Sequence, residues 1–402
     1  MSSRPQAHDY LETLACSACD REHDPRQIHT VCRECGHSLL ARYDLRRVAR
    51  AITPDEVTRR SRGIWRFREL LPPLAAGGGP DLGAGDTPLL PLRRLGERLG
   101  MPHLWLKDEG ANPTGTFKAR GAAVGVAAAA ALGVRELAIP TAGNAGSAWA
   151  AYSAAAGLPI HVVMPVDTPP PIKAECVAYG ADVTEVDGLI SDAARIVNER
   201  AARSGWFDAS TMREPFRVEG KKTMGLEIAE AFDWKPPDAV LYPTGGGVGL
   251  IGIWKAMREL DEMGWLDGPP PRLIAVQAAG CASIVDAWEA GAATAERVAD
   301  AHTVAPGLRV PLPFAHALVL RAIRETGGTA VAVSDDELMA AMSELAESEG
   351  VFACPEGAAL LPALRRLLDR GDLTREETVV LLNTGNALKY TDLMHATGGS
   401  AA

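Results

Sequence analysis

Short apolar runs alternate with alanine-rich segments of helical length through most of the chain. Strands are predicted at 104–106, 136–139, 160–164, 239–242, 273–276, 330–333 and 379–382. Helices are predicted between them, including 122–132, 147–156, 250–256 and 335–348. Strands that read as continuous apolar runs are typical of parallel sheets, which crossover helices bury on both faces. The pattern therefore predicts an α/β protein, and its 402 residues are enough for two such domains and a small appendage.

Four of the seven cysteines lie near the N-terminus, in two Cys-x-x-Cys pairs separated by twelve residues. They are Cys16, Cys19, Cys32 and Cys35. Two tight turns that face one another present four thiolates, the ligand set of a structural zinc ion. The pattern predicts a zinc ribbon whose filled ligand set leaves no open catalytic position. Two alternatives are a pair of redox disulfides and a ribbon without metal, and a reducing compartment disfavours the disulfides.

Glycine and proline mark the borders of the predicted segments. We expect a zinc-ribbon-like segment at 1–45, a connecting segment at 46–85 with a loop at 75–80, an N-terminal α/β domain at 86–240 and a C-terminal α/β domain at 241–395. The candidate site residues lie in loops that follow predicted strands. In an open α/β sheet such loops meet at the carboxyl ends of the strands, where ligands bind.

Charge and hydropathy argue against two classes of partner. The chain carries 41 Lys and Arg against 51 Asp and Glu, a net charge of −10, and shows no dense basic cluster. Nucleic acid binding is therefore not expected, because phosphate backbones are bound by clustered cations. No apolar run reaches membrane-spanning length, and the first eight residues lack the apolar core of a signal peptide. We expect a cytoplasmic protein without membrane contact.

The segment 112–121 reads Asn-Pro-Thr-Gly-Thr-Phe-Lys-Ala-Arg-Gly and places Lys118 just before a predicted helix. A lysine amine that is desolvated and close to other positive charge is partly deprotonated, and it can then form a Schiff base with a carbonyl cofactor. Lys118 is thus the candidate anchor and catalytic residue of a pyridoxal phosphate (PLP) enzyme. The alternative is a solvated lysine that begins a helix.

A glycine-rich loop, Thr-Gly-Gly-Gly-Val-Gly at 244–249, lies between a predicted strand and a predicted helix. Glycines let a ligand approach the backbone closely, and the free N–H groups and dipole of a helix N-terminus favour a phosphate. The spacing matches neither a dinucleotide fingerprint nor a P-loop. We interpret the loop as the binding site for the PLP phosphate, with a tight strand-to-helix turn as the alternative. Its residues are Thr244, Gly245, Gly246, Gly247, Val248 and Gly249.

Two further loops complete the candidate site. In the first, backbone N–H groups of Thr141, Ala142 and Gly143 are candidates to bind a substrate carboxylate, and Asn144 to bind the ring hydroxyl of PLP. Helix capping is the alternative for this loop. The second loop follows an apolar strand and begins at Thr384. A hydroxyl that faces the pyridine nitrogen leaves that nitrogen largely unprotonated, which suits elimination and replacement chemistry.

These motifs, together with the stretches at 106–110, 217–223 and 276–281, resemble the threonine synthase-like branch of the fold type II (tryptophan synthase β-like) PLP enzymes. The resemblance runs in order through most of the chain from about residue 85 onward. It implies two α/β domains of PLP fold type II, with PLP on Lys118 and a homodimeric assembly. It also implies conversion of O-phosphohomoserine and water to threonine and phosphate by β,γ-replacement, with Lys107 and Arg217 binding the substrate phosphate.

Three positions depart from the family pattern and keep other functions open. Ala119 replaces the usual aspartate after the lysine, and Thr211 and Met212 stand where the family often has asparagine and serine for the substrate phosphate. A thioether cannot donate a hydrogen bond to phosphate. One alternative is therefore another PLP-dependent β-replacement or β-elimination enzyme, similar to cysteate synthase or to a serine/threonine ammonia-lyase. Another is a non-catalytic protein of the same fold, in which the ribbon recruits a partner.

Overall fold

The computed structural model describes residues 9–73 and 78–393, so the predicted loop at 75–80 lies partly outside the described residues. The strands are β1 Leu11–Cys16, β2 Glu22–His23, β3 Leu39–Tyr43, β4 Leu89–Pro91, β5 Leu104–Asp108, β6 Leu137–Pro140, β7 Ile160–Pro165, β8 Asp182–Val186, β9 Phe207–Asp208, β10 Ala239–Pro243, β11 Arg272–Ala278, β12 Thr329–Val333 and β13 Val379–Asn383.

The helices in the same ranges are α1 Leu45–Ala51, α2 Pro54–Thr58, α3 Arg93–Leu99, α4 Lys118–Ala131, α5 Asn144–Ala156, α6 Pro170–Ala178, α7 Ile190–Ser204, α8 Arg217–Ala231, α9 Val248–Glu262, α10 Ser283–Glu289, α11 His316–Glu325, α12 Asp335–Glu349, α13 Pro355–Ala358 and α14 Leu360–Arg370. None of them is both long and apolar enough to cross a membrane.

The strands form three sheets. A small antiparallel sheet near the N-terminus has the order β2-β1-β3. The largest sheet has the order β12-β11-β10-β13-β5-β4 and is parallel except for β4, which pairs antiparallel with β5. A third, fully parallel sheet has the order β8-β7-β6-β9. The predicted α/β fold with parallel sheets is therefore confirmed.

The sheets do not follow the expected domain border at residue 240. The strands β4 and β5 precede the four-stranded sheet in the chain but lie in the six-stranded sheet, where β5 pairs with β13. The apolar run at 104–106 identifies β5 as a strand, but its partner lies about 275 residues further along the chain. Strand propensity carries no information about such a partner, so the split at 86–240 and 241–395 needs this correction.

Small residues bring the helices beneath the cavity into close contact. Helix α4 packs against α5 and α8, and α8 packs against α9. A Cβ atom on Gly220 of α8 would clash with the carbonyl oxygen of Arg120 on α4. On Gly252 of α9 it would lie 2.7 Å from Cβ of Lys221. These contacts fix the start of α4, where Lys118 lies, against two neighbouring helices.

Candidate active site

A cavity of about 310 Å³ lies between the two parallel sheets. Its walls come from the start of α4, the loop after β6, the loop after β10, and the segment that leads from α10 to α11. The predicted site residues on its wall are Lys118, Thr141, Ala142, Gly143, Asn144, Gly245, Gly246, Gly247, Val248 and Thr384. The loops that follow strands of both sheets thus meet in one place, as expected for open α/β sheets.

Lys118 begins α4 directly after a turn in which Thr114 and Gly115 both have positive φ, at 59° and 66°. Its amine lies 4.4 Å from the centre of the Phe117 ring. Burial lowers the pKa of Lys118 to about 8, the Glu356 carboxylate opposes that shift, and the Arg217 guanidinium adds to it. Near neutral pH a useful fraction of this amine is therefore unprotonated and nucleophilic.

The glycine loop runs from the end of β10 into the N-terminus of α9. Gly247 adopts a φ of 73°, and a Cβ atom there would clash with Val319. On Gly245 a Cβ atom would clash with the carbonyl oxygen of Gly307. Only glycine satisfies both constraints without strain. The positive end of the 15-residue helix α9 consequently opens into the cavity.

Thr244 and Gly249, the two ends of the predicted phosphate loop, do not line the cavity. The Thr244 hydroxyl donates to the carbonyl oxygen of Tyr242 (2.9 Å), and the Thr244 carbonyl accepts from Gln277 (3.0 Å). Gly249 packs so closely on the Tyr242 hydroxyl that a Cβ atom would clash with it. These two residues support the loop, and the four between them face the cavity.

The loop at 141–144 carries an unsatisfied amide. The Thr141 hydroxyl accepts from the N–H groups of Gly143 (3.1 Å) and Gly146 (3.2 Å), which holds the loop at the start of α5. The Asn144 side chain donates through Nδ2 to the hydroxyl of Tyr390 (2.8 Å). Its Oδ1 is buried and has no hydrogen-bond partner among the described residues. Because buried polar atoms are normally satisfied, this orphan atom marks a place for a ligand.

Thr384 lies at the end of β13 with its hydroxyl 3.5 Å from the Cys354 sulfur. Burial raises the pKa of the Cys354 thiol well above its ordinary value, so the thiol stays neutral beside that hydroxyl. The neighbouring Asn383 amide donates to Asp108 (2.8 Å), which joins the ends of β13 and β5. A neutral hydroxyl and thiol are therefore the groups available to a ring nitrogen at this position.

The structure does not bring Lys107 to the cavity. Its ammonium donates to the carbonyl oxygen of Thr87 (2.7 Å) and to the Glu227 carboxylate (2.7 Å), and the side chain is 3% exposed. Glu227 also accepts from Arg120, which is fully buried and pairs with Glu109 at 2.6 Å. The expectation that Lys107 binds the substrate phosphate is corrected here, because its charge is already neutralised inside a buried network.

Arg217 lies just behind the cavity wall. Its guanidinium donates to the Thr211 hydroxyl (2.9 Å) and to the carbonyl oxygen of Ala209, and it pairs with Glu214 at 3.5 Å. Thr211 itself lines the cavity. Its methyl group would lie 3.3 Å from a Cβ atom on Gly246 of the glycine loop. Arg217 is therefore one hydroxyl away from the space next to that loop.

Three residues on the wall escaped the sequence reasoning. Arg213 lines the cavity, pairs with Asp208 at 3.0 Å and lies over the Phe314 ring. Tyr390 and Glu356 line the opposite side, and the tyrosine hydroxyl donates to the Glu356 carboxylate (2.9 Å). None lies in a motif with a recognisable spacing. The acidic residue after the proline at 355, in a buried apolar stretch, was the available signal for Glu356.

Residues 81–385 match the family described as pyridoxal-phosphate dependent enzyme. The chain belongs to this family. It is 35% identical to the threonine synthase of Methanosarcina acetivorans over 377 residues, which covers 94% of this chain and 92% of the relative. It is also 35% identical to the threonine synthase of Methanocaldococcus jannaschii, with coverage of 94% and 93%. These relatives confirm the threonine synthase-like branch to which the motifs point.

Solved structures of PLP fold type II share the architecture. A bacterial threonine deaminase, from T.th., superposes with a TM-score of 0.62 at 29% identity, covering 75% of this chain and 92% of that one. Maize serine racemase superposes with a TM-score of 0.65 at 22% identity, covering 77% and 93%. The second similarity shows the fold alone.

The cavity residues fit PLP. An amine of lowered pKa, a helix N-terminus edged by glycines and the orphan Oδ1 of Asn144 are the groups that an aldehyde, a phosphate and a ring hydroxyl need. Lys118, the loop at 245–248 and Asn144 could hold these three parts, with Thr384 beside the ring nitrogen. All four lie on one continuous wall.

The four N-terminal cysteines cluster at the ends of β1 and beside β3. Their sulfur atoms all lie within 4.8 Å of one another, with separations of 3.3 Å for Cys16 and Cys35 and 3.7 Å for Cys19 and Cys32. All four thiols are free. Four sulfurs bound tetrahedrally at about 2.3 Å from zinc would be roughly 3.8 Å apart, so the donor set and its spacing are compatible with that ion.

Proposed function

We propose that this protein is a threonine synthase, which converts O-phosphohomoserine and water to threonine and phosphate. The observation that carries the proposal is a cavity that joins the lowered-pKa amine of Lys118 to a glycine-edged helix N-terminus and to Asn144. Curated threonine synthases that align over 94% of the chain support the choice of reaction.

Lys118 is the proposed covalent anchor of PLP. In the same proposal the N–H groups at 245–248 bind its phosphate, Asn144 binds its ring hydroxyl and Thr384 faces its ring nitrogen. When bound, PLP withdraws electrons from the substrate carbons next to the amine and so makes their protons acidic. Lys118, once freed by the substrate amine, is the base that moves protons between these carbons.

The substrate carboxylate is assigned to the loop at 141–143, whose N–H groups lie at the start of α5. A helix N-terminus favours a negative group of this kind. On the other side of the cavity, Thr211 and Arg213 are the proposed contacts of the substrate phosphate. Arg217 donates to the Thr211 hydroxyl and orients it, so that its predicted role becomes an indirect one.

The Cys16, Cys19, Cys32 and Cys35 cluster is proposed to bind one structural zinc ion. Support comes from the four convergent sulfurs and from the absence of an open ligand position in that set. We further propose that the enzyme is a cytoplasmic homodimer. All seven cysteines are free, as is usual in a reducing compartment.

A second candidate function is elimination of ammonia from serine or threonine. Met212 and Ala119, where the family usually has phosphate-binding and acidic residues, favour it, as does the similarity to the T.th. threonine deaminase. The retained cationic wall at Arg213 favours a phosphorylated substrate. The two functions predict different products from the same enzyme.

The test is a panel of single-substrate incubations with the PLP-loaded protein. O-phosphohomoserine, O-phosphoserine, serine and threonine are supplied separately, and phosphate, ammonia and new amino acids are measured. Threonine and phosphate in equal amounts from O-phosphohomoserine support the proposal. Ammonia from serine or threonine, with no phosphate from O-phosphohomoserine, supports the second candidate and overturns the first.

A further inference from the structure

Glu356 is the only carboxylate among the described residues that line the cavity. Its side chain is 5% exposed although it lies beside Lys118, Tyr390 and Thr384 on the wall. No lysine or arginine pairs with it within the described part of the chain. A buried carboxylate without a cationic partner is costly to retain, so its presence in a reaction cavity requires a reason.

One of the two carboxylate oxygens is held in place. Oε1 accepts from the Tyr390 hydroxyl (2.9 Å) and from the N–H group of Gly307 (2.7 Å). A Cβ atom on Gly307 would lie 2.6 Å from Oε1, so glycine is needed for this close approach. The carboxylate is therefore fixed by two donors that come from different segments of the chain.

The other oxygen is left unengaged. Oε2 is buried and has no hydrogen-bond partner among the residues that the structure describes. An anchored Oε1 and an unpartnered Oε2 are the arrangement of a carboxylate that is oriented to accept a proton. The Glu356 charge also acts on the Lys118 amine, which confirms that the two groups are close.

The other titratable groups nearby are poor bases at neutral pH. Burial and the Glu356 charge raise the pKa of the Tyr390 hydroxyl well above its ordinary value, and burial does the same for the Cys354 thiol. Both groups therefore keep their protons. Lys118 has to serve the α and β carbons of the substrate, which leaves the attacking water without a base from that source.

We propose that Glu356 is a catalytic residue that activates the water molecule which adds to Cβ of the substrate. This inference rests on the proposed threonine synthase function. As the water oxygen bonds to Cβ, one O–H bond breaks and its proton moves to Oε2. The electron pair between Cα and Cβ moves to Cα, which takes a proton from the Lys118 ammonium. The proton on Glu356 returns to solvent when threonine and phosphate leave.

Loss of this base has a distinctive chemical consequence. If water does not add at Cβ after phosphate has left, the unsaturated amino acid is released and hydrolyses to 2-oxobutanoate and ammonia. One water is consumed and one phosphate released in either case. The ratio of threonine to 2-oxobutanoate therefore reports on Glu356 separately from the earlier steps.

The test is Glu356→Gln, because glutamine keeps the oxygen that accepts from Tyr390 and Gly307 but removes the basic Oε2. We expect normal cofactor uptake, phosphate release within about tenfold of the wild type, and threonine formation lowered by roughly 100-fold or more, in the range of general-base catalysis. 2-Oxobutanoate and ammonia should replace the lost threonine. Glu175→Gln, an acid that pairs with Lys389 outside the cavity wall, is the matched control.

A Glu356→Gln enzyme that keeps the wild-type rate and product ratio overturns the inference. Should that variant fail to take up PLP, Glu356→Ala with added formate decides the question. Recovery of the threonine fraction by formate supports a base at this position, and equal product ratios with and without formate in an active variant contradict it. Failure of the wild type to release phosphate from O-phosphohomoserine would instead overturn the proposed function itself.

Discussion

The Lys221 amine donates a hydrogen bond to the main-chain carbonyl oxygen of Lys118 (3.0 Å) and a second to that of Phe117 (2.5 Å). Lys221 is 2% exposed, and burial lowers its pKa well below the ordinary lysine value. Its donors hold the backbone that presents the Lys118 side chain. A buried amine from α8 thus sets the position of the proposed PLP lysine on α4.

We predict that Lys221→Met weakens cofactor binding by roughly tenfold, because two buried carbonyl oxygens lose their donor at about 1 kcal/mol each. PLP titration of the apoenzyme, followed by absorbance, measures the effect. Lys235→Met is the control, since that exposed lysine pairs with Asp267 on the surface. Equal affinities for the wild type and both variants would contradict the positioning role.

The pH dependence of cofactor uptake should report the lowered pKa of Lys118. Only the neutral amine attacks the aldehyde, so the rate of uptake by apoenzyme should rise with pH up to a midpoint near 8. An ordinary lysine would place that midpoint near 10.5. Stopped-flow absorbance between pH 6 and 10 provides the measurement, and a rate still rising steeply above pH 9.5 would refute the expectation.

Lys107 and Arg213 should respond in opposite ways to removal of their charge. Arg213→Met is predicted to raise the KM for O-phosphohomoserine roughly tenfold, the effect of one charge-assisted hydrogen bond at a partly exposed site. Lys107→Met should leave that KM nearly unchanged and lower the free energy of unfolding by about 3 kcal/mol, because Glu227 loses a buried partner. Steady-state kinetics and urea unfolding of both variants make the comparison. A large KM increase in the Lys107 variant alone would reverse the assignment.

Metal analysis should find one zinc ion per chain, and Cys16→Ser should lose it. Residues 10–43 should then exchange their amide hydrogens faster, while the absorbance of bound PLP persists, because the cluster lies outside the cavity. Cys176→Ser, a buried cysteine remote from the cluster in sequence, should keep the metal. Zinc-free wild-type protein from zinc-supplemented expression would exclude the structural site.

Contiguous motifs were predicted well from the sequence. The turn before Lys118 and the glycine loop at 245–248 carry their chemistry within a few neighbouring residues, and their glycines reveal the conformation they need. The apolar runs gave most strands of the two parallel sheets. Strand β8 was missed because its alternating charged residues and partial exposure do not resemble a buried strand.

Relationships between distant segments could not be predicted. Lys107 is similar to a phosphate-binding lysine in sequence, but its partner Glu227 lies 120 positions away and neutralises it. Glu356 meets Tyr390 and Gly307 only through the tertiary fold. Sequence spacing shows which groups are available, and packing decides which of them are free to react.

The most direct test of the account is a product analysis of PLP-loaded wild type and Lys118→Ala with O-phosphohomoserine. The wild type should form threonine and phosphate in equal amounts, and the variant should form neither and should lack the absorbance of a lysine-linked cofactor. Wild-type enzyme that binds PLP but leaves O-phosphohomoserine unchanged would contradict the proposed function. Turnover by Lys118→Ala at a comparable rate would contradict the role of the lysine.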